Sequence, residues 1–153
     1  MKESILSFFP KGLVPRKEQV DILLELEANW RKYDIFVIEA AVACGKSFIA
    51  KTVADWQHCS TAIITPQVLL QDQYLDDFPK MVCLKGSSRY ACKNIKSSCG
   101  DYAELNETHC SDCPFVAARV TAQNASTALF NTSSYFYNIE HVEALKKEVL
   151  IFD

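Results

Sequence analysis

The sequence predicts an α/β domain in which a mostly parallel β-sheet carries helices on both faces. Short apolar runs rich in β-branched residues alternate with segments of helical periodicity, the pattern of strands joined by crossover helices. One of these runs leads through a turn of small residues into Gly45-Lys46-Ser47 and then into a helical pattern. The chain has 153 residues, of which 49% are hydrophobic, so it can bury one ordinary core.

The predicted elements follow one another along the chain. Pro15 precedes a helix that reaches Trp30, because Val20, Leu23 and Leu24 keep helical spacing. The other elements are predicted from apolar runs bounded by turn residues or proline. They are strands at 35–38, 61–65, 81–84 and 127–130, helices at 46–57, from 68 to before Pro79, at 114–123 and at 133–138, and a terminal apolar run at 149–153.

Charge and the amino terminus restrict the function classes. The formal net charge of −3 excludes a globally basic nucleic-acid binder, so any such contact must come from a local patch. The first ten residues contain an acid, Glu3, and reach Pro10 before any long apolar stretch, which fits neither a signal peptide nor a membrane span. We therefore expect a cytoplasmic protein, or a nuclear or nucleoid-associated one, with no membrane partner.

The Gly-Lys-Ser sequence predicts a phosphate-binding loop. A helix N-terminus offers backbone N–H groups to phosphates, Lys46 adds a positive charge, and Ser47 adds a hydroxyl for Mg²⁺. The full pattern has a first glycine separated by four residues from the second, and Ala40 stands in its place. Ala43 also lies where a glycine would give more conformational freedom. A chance Gly-Lys-Ser at a helix start is the alternative.

Seven cysteines occur in the chain, and four of them fall between residues 86 and 113, where the periodicity collapses. These four, separated by six, ten and two residues, are Cys92, Cys99, Cys110 and Cys113. A reducing compartment disfavours disulfides, so clustered thiols in a loop without its own core indicate a metal or iron–sulfur site. Zinc remains open, although only the last two cysteines form the close pair that structural zinc sites commonly use. Unligated thiols are the other alternative.

The sequence contains four further possible metal ligands, one histidine and three cysteines. His109 is a second candidate ligand, which we expect to face solvent instead. No ligand role is assigned to Cys44, Cys59 or Cys83, because cysteines beside apolar runs usually behave as small hydrophobic residues.

A basic segment overlaps the cysteine-rich one. Between residues 80 and 100 there are five basic residues and no acidic residue. With Tyr90 available to stack on a base, this composition suits a phosphate backbone and single-stranded nucleic acid. A solvated lysine-rich loop is the alternative. The basic residues are Lys80, Lys85, Arg89, Lys93 and Lys96.

The order of these motifs resembles that of the iron–sulfur DNA helicases of the XPD and DinG type, which belong to superfamily two. The resemblance covers the amino-terminal part of the first motor domain of these helicases. Five segments carry the resemblance: Pro15-Arg16-Lys17-Glu18-Gln19, residues 39–47, residues 65–74, Lys85-Gly86-Ser87-Ser88-Arg89-Tyr90-Ala91-Cys92, and Cys113-Pro114-Phe115-Val116-Ala117-Ala118-Arg119. Phe130-Asn131-Thr132 and the final Leu150-Ile151-Phe152-Asp153 also match, the last as the start of the DEAH box. Arg89 stands where the family commonly has asparagine.

The resemblance implies a RecA-like P-loop fold with an inserted iron–sulfur loop domain. It divides the chain into a first motor part at 1–85, a 4Fe–4S insertion at 86–113 and a return to the motor fold at 114–153. It implies ATP and Mg²⁺ as cofactors, adenine recognition by Gln19 with Arg16, and phosphate binding by Ala43, Cys44, Gly45, Lys46 and Ser47. Lys46 and Asp153 would serve catalysis, with Ser47 and Asp153 on Mg²⁺.

The resemblance further implies an ATP-dependent 5′-to-3′ helicase that acts on single-stranded or forked DNA. The residues implied in nucleic-acid contact are Thr65, Gln71, Lys85, Arg89, Tyr90 and Lys93. A sequence ending at Asp153 lacks the family's catalytic glutamate and its second motor domain, so we expect no unwinding by this chain alone. The alternative function is a non-catalytic nucleic-acid-binding module with a zinc-stapled loop and a degenerate nucleotide site.

Overall fold

The structure, a computed structural model, describes residues 3–41, 43–106, 110, 112–141 and 145–153. Two compact units are distinguished: unit 1 contains the described residues up to Cys59 together with Asp153, and unit 2 is Ser60–Phe152. The helices within the described ranges are α1 (Lys17–Asn29), α2 (Lys46–Gln57), α3 (Val68–Asp77), α4 (Cys99–Asn106), α5 (Pro114–Asn124) and α6 (Thr132–His141). The strands are β1 (Thr61–Thr65), β2 (Val82–Leu84), β3 (Thr127–Asn131) and β4 (Val149–Phe152).

Unit 2 is built on a four-stranded sheet in the order β2-β3-β1-β4. All three strand pairings are parallel, with Thr61 opposite Thr127 on one side and opposite Val149 on the other. Every residue of β1 is buried, as expected for the β-branched run Thr-Ala-Ile-Ile-Thr in an inner strand of a parallel sheet. Helices α3, α5 and α6 pack on this sheet. The predicted α/β class with a parallel sheet is confirmed.

Unit 1 consists of α1, α2 and the 3₁₀ turn Ile5–Phe8, which pack on one another. Ile5 and Leu23 are buried in its core. The turn is fixed to α1 by Glu27, whose carboxylate accepts hydrogen bonds from the backbone N–H of Ile5 and the hydroxyl of Ser4, both at 3.1 Å. This contact brings the chain before Pro15 against the helix that follows it.

The strand predicted at residues 35–38 is wrong. The segment has no regular secondary structure, and the side chains of Ile35 and Val37 are 82% and 93% exposed. Phe36 instead stacks on Trp30, with ring centroids 5.3 Å apart. A run of four apolar residues is too short to identify its own partner. Here the aromatic contact anchors it, and the described residues of unit 1 include no strand for it to pair with.

Two predictions about helices also need correction. The segment 86–113, expected to be irregular, contains the 3₁₀ turn Ser87–Arg89 and the helix α4. The short helix expected at 133–138 extends over the ten residues of α6. At the start of α6, Asn131 Oδ1 accepts the backbone N–H of Ser134 at 2.6 Å, and the helix begins one residue earlier than predicted.

Of the helices in the described ranges, none combines the length and the apolar character that crossing a membrane requires.

Candidate functional site

The turn before α2 contains two residues with a left-handed backbone. Gly45 precedes the helix with φ of 82°, and Ala43 also has a left-handed backbone, with φ of 62°. The N–H of Cys44 donates to the carbonyl of Ala41 at 3.3 Å, and the backbone N–H groups at the start of a helix such as α2 are a common anion site. Lys46 and Ser47 occupy the first turn of α2. Val42, which belongs to the predicted loop, lies outside the described residues.

Helix α1 reaches this turn through the two residues that the resemblance links to adenine. Arg16 Nη1 donates to the carbonyl of Ala43 at 2.9 Å. Gln19 Nε2 donates to the carbonyls of Cys44 and Gly45 at 3.1 and 3.2 Å. The structure therefore brings Arg16 and Gln19 against the loop, through hydrogen bonds between residues 25 to 27 positions apart in the sequence.

Lys46 folds back along the same turn. Its ammonium donates to the carbonyls of Ala40 at 3.3 Å and Ala41 at 3.1 Å. Both acceptors are uncharged backbone carbonyls. Because an anion forms a stronger hydrogen bond with an ammonium group than a carbonyl does, an anionic ligand can replace them as the partner of Lys46. Asp153, the predicted partner for Mg²⁺, belongs to the same unit as the loop.

The four predicted ligand cysteines lie at four positions around α4 and α5, and Cys110 is the one between the two helices. Cys92 lies in the loop before α4, Cys99 is the first residue of α4, and Cys113 caps the start of α5. The thiol of Cys92 interacts with those of Cys99 and Cys110, and Cys113 interacts with the same two. The four thiols thus form a closed ring of neighbours, partly or fully buried.

Local hydrogen bonds give the thiols different acidities. Burial raises the pKa of Cys99 and of Cys110. Burial also opposes ionisation of Cys92, but the backbone N–H groups of Asn94 and Ile95 and the neighbouring thiols outweigh it, so the pKa of Cys92 is lowered. The Asn94 N–H lies 3.4 Å from the sulfur. Such amide donors are the usual means of stabilising a thiolate ligand.

Two kinds of inorganic centre commonly take four cysteine ligands. Sulfurs around a tetrahedral zinc ion stand about 3.8 Å apart, given Zn–S bonds of about 2.3 Å. An iron–sulfur cluster takes one thiolate at each corner of a larger inorganic body, and four cysteines are its usual ligand set. Over the described residues, no group of three or more His, Cys, Asp or Glu side chains is arranged to hold a metal ion. His109 lies outside the described residues.

The start of α4 was missed by the sequence analysis although a signal was present. Ser98 and Asp101 form a reciprocal cap: the Asp101 carboxylate accepts from the Ser98 N–H at 3.0 Å, and the Ser98 hydroxyl accepts from the Asp101 N–H at 3.1 Å. The pattern Ser-x-x-Asp predicts such a cap. It places Cys99 at the first position of the helix, and so fixes one thiol of the ring.

The residues of the basic segment that are predicted to contact nucleic acid differ in their exposure to solvent. Arg89 and Lys93 are exposed. Lys85 is half-buried, and its ammonium pairs with the carboxylate of Asp72 at 2.7 Å. The ring of Tyr90 is half-buried against Phe115, and its hydroxyl accepts the N–H of Lys85 at 3.2 Å. Tyr90 therefore contacts both α5 and the backbone of Lys85.

Two residues predicted to contact nucleic acid are buried inside the protein. The side chains of Thr65 and Gln71 are fully buried. The Thr65 hydroxyl donates to the carbonyl of Gln67, and Gln71 Nε2 donates to the carbonyl of Leu84 at 3.4 Å. Neither side chain can touch a strand of DNA from this position, so the prediction for both is corrected. They hold the carboxyl ends of β1 and β2 to the chain beside them.

Comparison of the chain with protein-family models, with curated proteins and with solved structures finds no match.

Proposed function

We propose that the chain is the ATP-binding and cluster-bearing part of an ATP-dependent 5′-to-3′ DNA helicase of the iron–sulfur type, with a RecA-like motor fold. The observation that carries the proposal is the turn before α2. Ala43 and Gly45 are left-handed, Lys46 follows at the first helical position, and α1 contacts the loop from the motif that the helicase resemblance names. These features together favour a nucleotide phosphate as the ligand.

In this proposal each residue of the loop has a distinct part in binding. The backbone N–H groups at the start of α2 hold the phosphate oxygens, and Lys46 exchanges its carbonyl acceptors for them. Ser47 and Asp153 would hold Mg²⁺, which neutralises phosphate charge when bound. The four thiols of the ring would hold a 4Fe–4S cluster, which supplies a rigid centre for a segment that has little core of its own.

Exposed cations of the basic segment would follow the backbone of single-stranded DNA. Arg89 and Lys93 lie one on each side of Cys92 in the sequence, so a strand bound to them would pass the cluster segment. This arrangement favours a helicase, in which the strand is drawn past a fixed wedge.

Equilibrium binding of a fluorescent ATP analogue tests the proposal. We expect saturable, Mg²⁺-dependent binding by the wild-type chain and a loss of at least about tenfold in affinity for Lys46→Ala, because the ammonium is a principal phosphate contact. Lys51→Ala is the matched control, since Lys51 lies on the same helix and pairs with Asp55. Equal affinity of the wild-type chain and Lys46→Ala would refute the proposal.

One observation favours the second candidate, a non-catalytic nucleic-acid-binding module. Ala43 has a left-handed backbone, a conformation in which glycine would be less strained. An alanine at this position fits a loop that no longer binds a nucleotide. In that case the chain binds single-stranded DNA but no ATP analogue. The same titration therefore separates the two candidates.

A further inference from the structure

We propose that unit 1 carries a second binding site, which takes an arginine side chain of a partner protein. The site is a groove between the second half of α1 and the segment 33–39 that follows this helix. None of the residues that line it is among those predicted to bind the nucleotide. The inference is therefore independent of the proposed function, and it rests on the shape, the aromatic rings and the charge of the groove.

The groove has the size of a single long side chain. Its volume is about 320 Å³, at the lower end of the roughly 300–1,000 Å³ that small-molecule sites occupy. Helix α1 contributes apolar and polar side chains to one wall, and the segment 33–39 forms the other. Among the lining residues are Glu25, Leu26, Asn29, Tyr33, Phe36 and Glu39.

Two aromatic rings meet at a right angle in this groove. The ring centroids of Tyr33 and Phe36 lie 6.2 Å apart, and the ring planes are inclined by 90°. Trp30 does not line the groove, but it stacks on Phe36 and so fixes the orientation of that ring. Tyr33 is 62% exposed, which leaves its ring open to a ligand. Because the face of an aromatic ring attracts positive charge, these rings favour a cationic ligand.

The charges of the groove favour a cation as well. Glu25 from α1 and Glu39 from the following segment are the charged residues that line it, within the part of the chain that the structure describes. Neither carboxylate forms a hydrogen bond or an ion pair with a described residue. Lys32 touches the rim, where its ammonium donates to Asn29 Oδ1 at 3.2 Å. The lining itself is negative, and its two carboxylates are available to donors from a ligand.

An organic cation suits this lining better than a metal ion does. Calcium takes about six to eight oxygen ligands, and magnesium requires an octahedral set, whereas two carboxylates between aromatic rings offer too few oxygens. A guanidinium group is planar and stacks on aromatic faces, and its N–H groups can donate to more than one carboxylate. Arginine therefore fits both the rings and the charges.

Exposed apolar residues beside the groove indicate that the arginine belongs to a polypeptide. Ile35 and Val37 present nearly their whole side chains to solvent. Together with Tyr33 they form an apolar surface that adjoins the two carboxylates, and contiguous surfaces of this kind mark protein interaction sites. A free small cation would fill the groove and leave Ile35 uncovered. The partner inferred is a segment in which apolar residues flank the arginine.

A labelled peptide tests the inference on the full chain. The probe is a fluorescent pentapeptide with one arginine between two leucines, and its binding is followed by anisotropy. A second peptide carries citrulline, the uncharged isostere of arginine, and should bind at least about tenfold more weakly because it loses the charged hydrogen bonds. N-acetyl-arginine amide, used as a competitor, represents a small cation. We expect it to bind at least about tenfold more weakly than the arginine peptide, since it cannot cover the apolar surface.

Substitutions in the groove test the role of charge. Glu25→Gln and Glu39→Gln should each weaken binding of the arginine peptide by about fivefold and leave the citrulline peptide unchanged. Lys32→Met should strengthen binding of the arginine peptide by about twofold, because it removes a like charge at the rim. Asp21→Asn is the matched control, since Asp21 is exposed on α1 but does not line the groove. The four positions are exposed or lie at the surface of α1, and tryptophan fluorescence in urea confirms that each variant is folded.

The outcomes are distinct from those of the nucleotide titration. Absence of saturable binding of the arginine peptide by the wild-type chain, or equal affinity for the arginine and citrulline peptides, overturns the cation site. Shifts of the same sign in Glu39→Gln and Lys32→Met overturn it too. Arginine amide that binds as tightly as the peptide overturns the protein partner. None of these results changes the binding of an ATP analogue, so the failure of this inference and the failure of the proposed function can be told apart.

Discussion

Gln19 occupies the space in which a side chain on Gly45 would begin. A Cβ built on Gly45 would stand 2.5 Å from Gln19 Nε2, closer than any ordinary contact, while the same nitrogen donates to the Gly45 carbonyl. The glycine is therefore required twice, by its left-handed backbone and by the side chain that lies against it.

Gly45→Ala should destabilise unit 1 by more than a left-handed alanine alone does. The backbone costs about 1 kcal/mol or more, and the displaced Gln19 adds the loss of its loop bonds. Urea unfolding followed by tryptophan fluorescence measures the change. Gly12→Ala is the control, because Gly12 has a similar φ of 87° but no atom within 4 Å of the place that a methyl group would take. Equal losses for the two variants would show that the contact with Gln19 is unimportant.

Ala43→Gly should stabilise unit 1. A left-handed backbone at alanine destabilises the folded state by about 1–2 kcal/mol, and glycine removes this strain. Glycine also gives the unfolded chain more conformational freedom, which lowers stability by about 0.4–1 kcal/mol. The expected net gain in stability is about 0.5 kcal/mol. The same urea titration measures it. The control, Ala28→Gly near the end of α1, should have the opposite sign, since glycine in a helix costs up to about 1 kcal/mol. A loss of stability in both variants would contradict the strain assigned to Ala43.

Arg89→Ala and Lys93→Ala should each weaken binding of single-stranded DNA and lower its salt dependence. Removing one phosphate contact reduces the slope of log affinity against log salt by about 0.7 for a single strand. Fluorescence anisotropy of a labelled oligonucleotide over a range of salt concentrations measures the slope. Lys11→Ala, an exposed change in unit 1, serves as the control. A slope that Lys11→Ala lowers as much as Arg89→Ala would exclude a local basic site.

Cys99→Ser should prevent iron loading. The wild-type chain reconstituted with iron and sulfide should show a broad absorbance near roughly 400 nm, as thiolate-bound clusters do, and Cys99→Ser should lose most of it. Cys59→Ser, outside the ring, should retain the absorbance. Stoichiometric zinc in the purified wild-type chain without that absorbance would contradict the cluster and support a zinc site.

The charges of Lys85 and Asp72 should each shift the pKa of Cys83, which burial raises. Burial raises the pKa of this thiol to about 11, Lys85 lowers it and Asp72 raises it. Lys85→Met should therefore move the pKa up and Asp72→Asn should move it down. The pH dependence of iodoacetamide labelling of the Cys83 peptide, measured by mass spectrometry, gives both shifts. Shifts of the same sign would contradict this arrangement of charges.

The same pKa makes a statement about stability. The pKa of Cys83 is higher in the folded state than its ordinary value of 9.0. The thiol therefore contributes its full stabilisation of the folded state below pH 9.0, and this contribution is lost as the pH rises through about 11. Unfolding of unit 2 should become easier in this window, and Cys83→Ala should remove that part of the pH dependence. An unchanged alkaline profile in Cys83→Ala would locate the effect elsewhere.

Much of the regular structure could be predicted from local signals. The predicted bounds of α2 and β1 agree with the structure, because the first has a Gly-Lys-Ser start and the second is a β-branched run ended by Pro66. The predicted strand at 35–38 had the same kind of composition as β1, yet it has no partner strand in the described part of unit 1. Composition gives the preference for a strand, whereas the partner comes from the rest of the fold.

The candidate site was predictable in its residue types and not in its contacts. The cysteine spacing predicts four ligand thiols; the structure makes these thiols neighbours, but the described residues include no group arranged to hold a metal ion. The contact between Gln19 and the carbonyl of Gly45 joins residues 26 positions apart, and no local pattern encodes it. Burial of Gln71 was missed for a related reason: a polar residue in a helix looks exposed until the strand beneath it is placed.

The strand order bears on how the protein is made. Because β3 lies between β1 and β2, those two strands cannot join one sheet until residues 127–131 have left the ribosome. All four thiols of the ring have been synthesised by then, since the last of them is Cys113. The four cysteines of the ring are therefore synthesised before the sheet can form, so the segment that carries them must first exist without the sheet beside it.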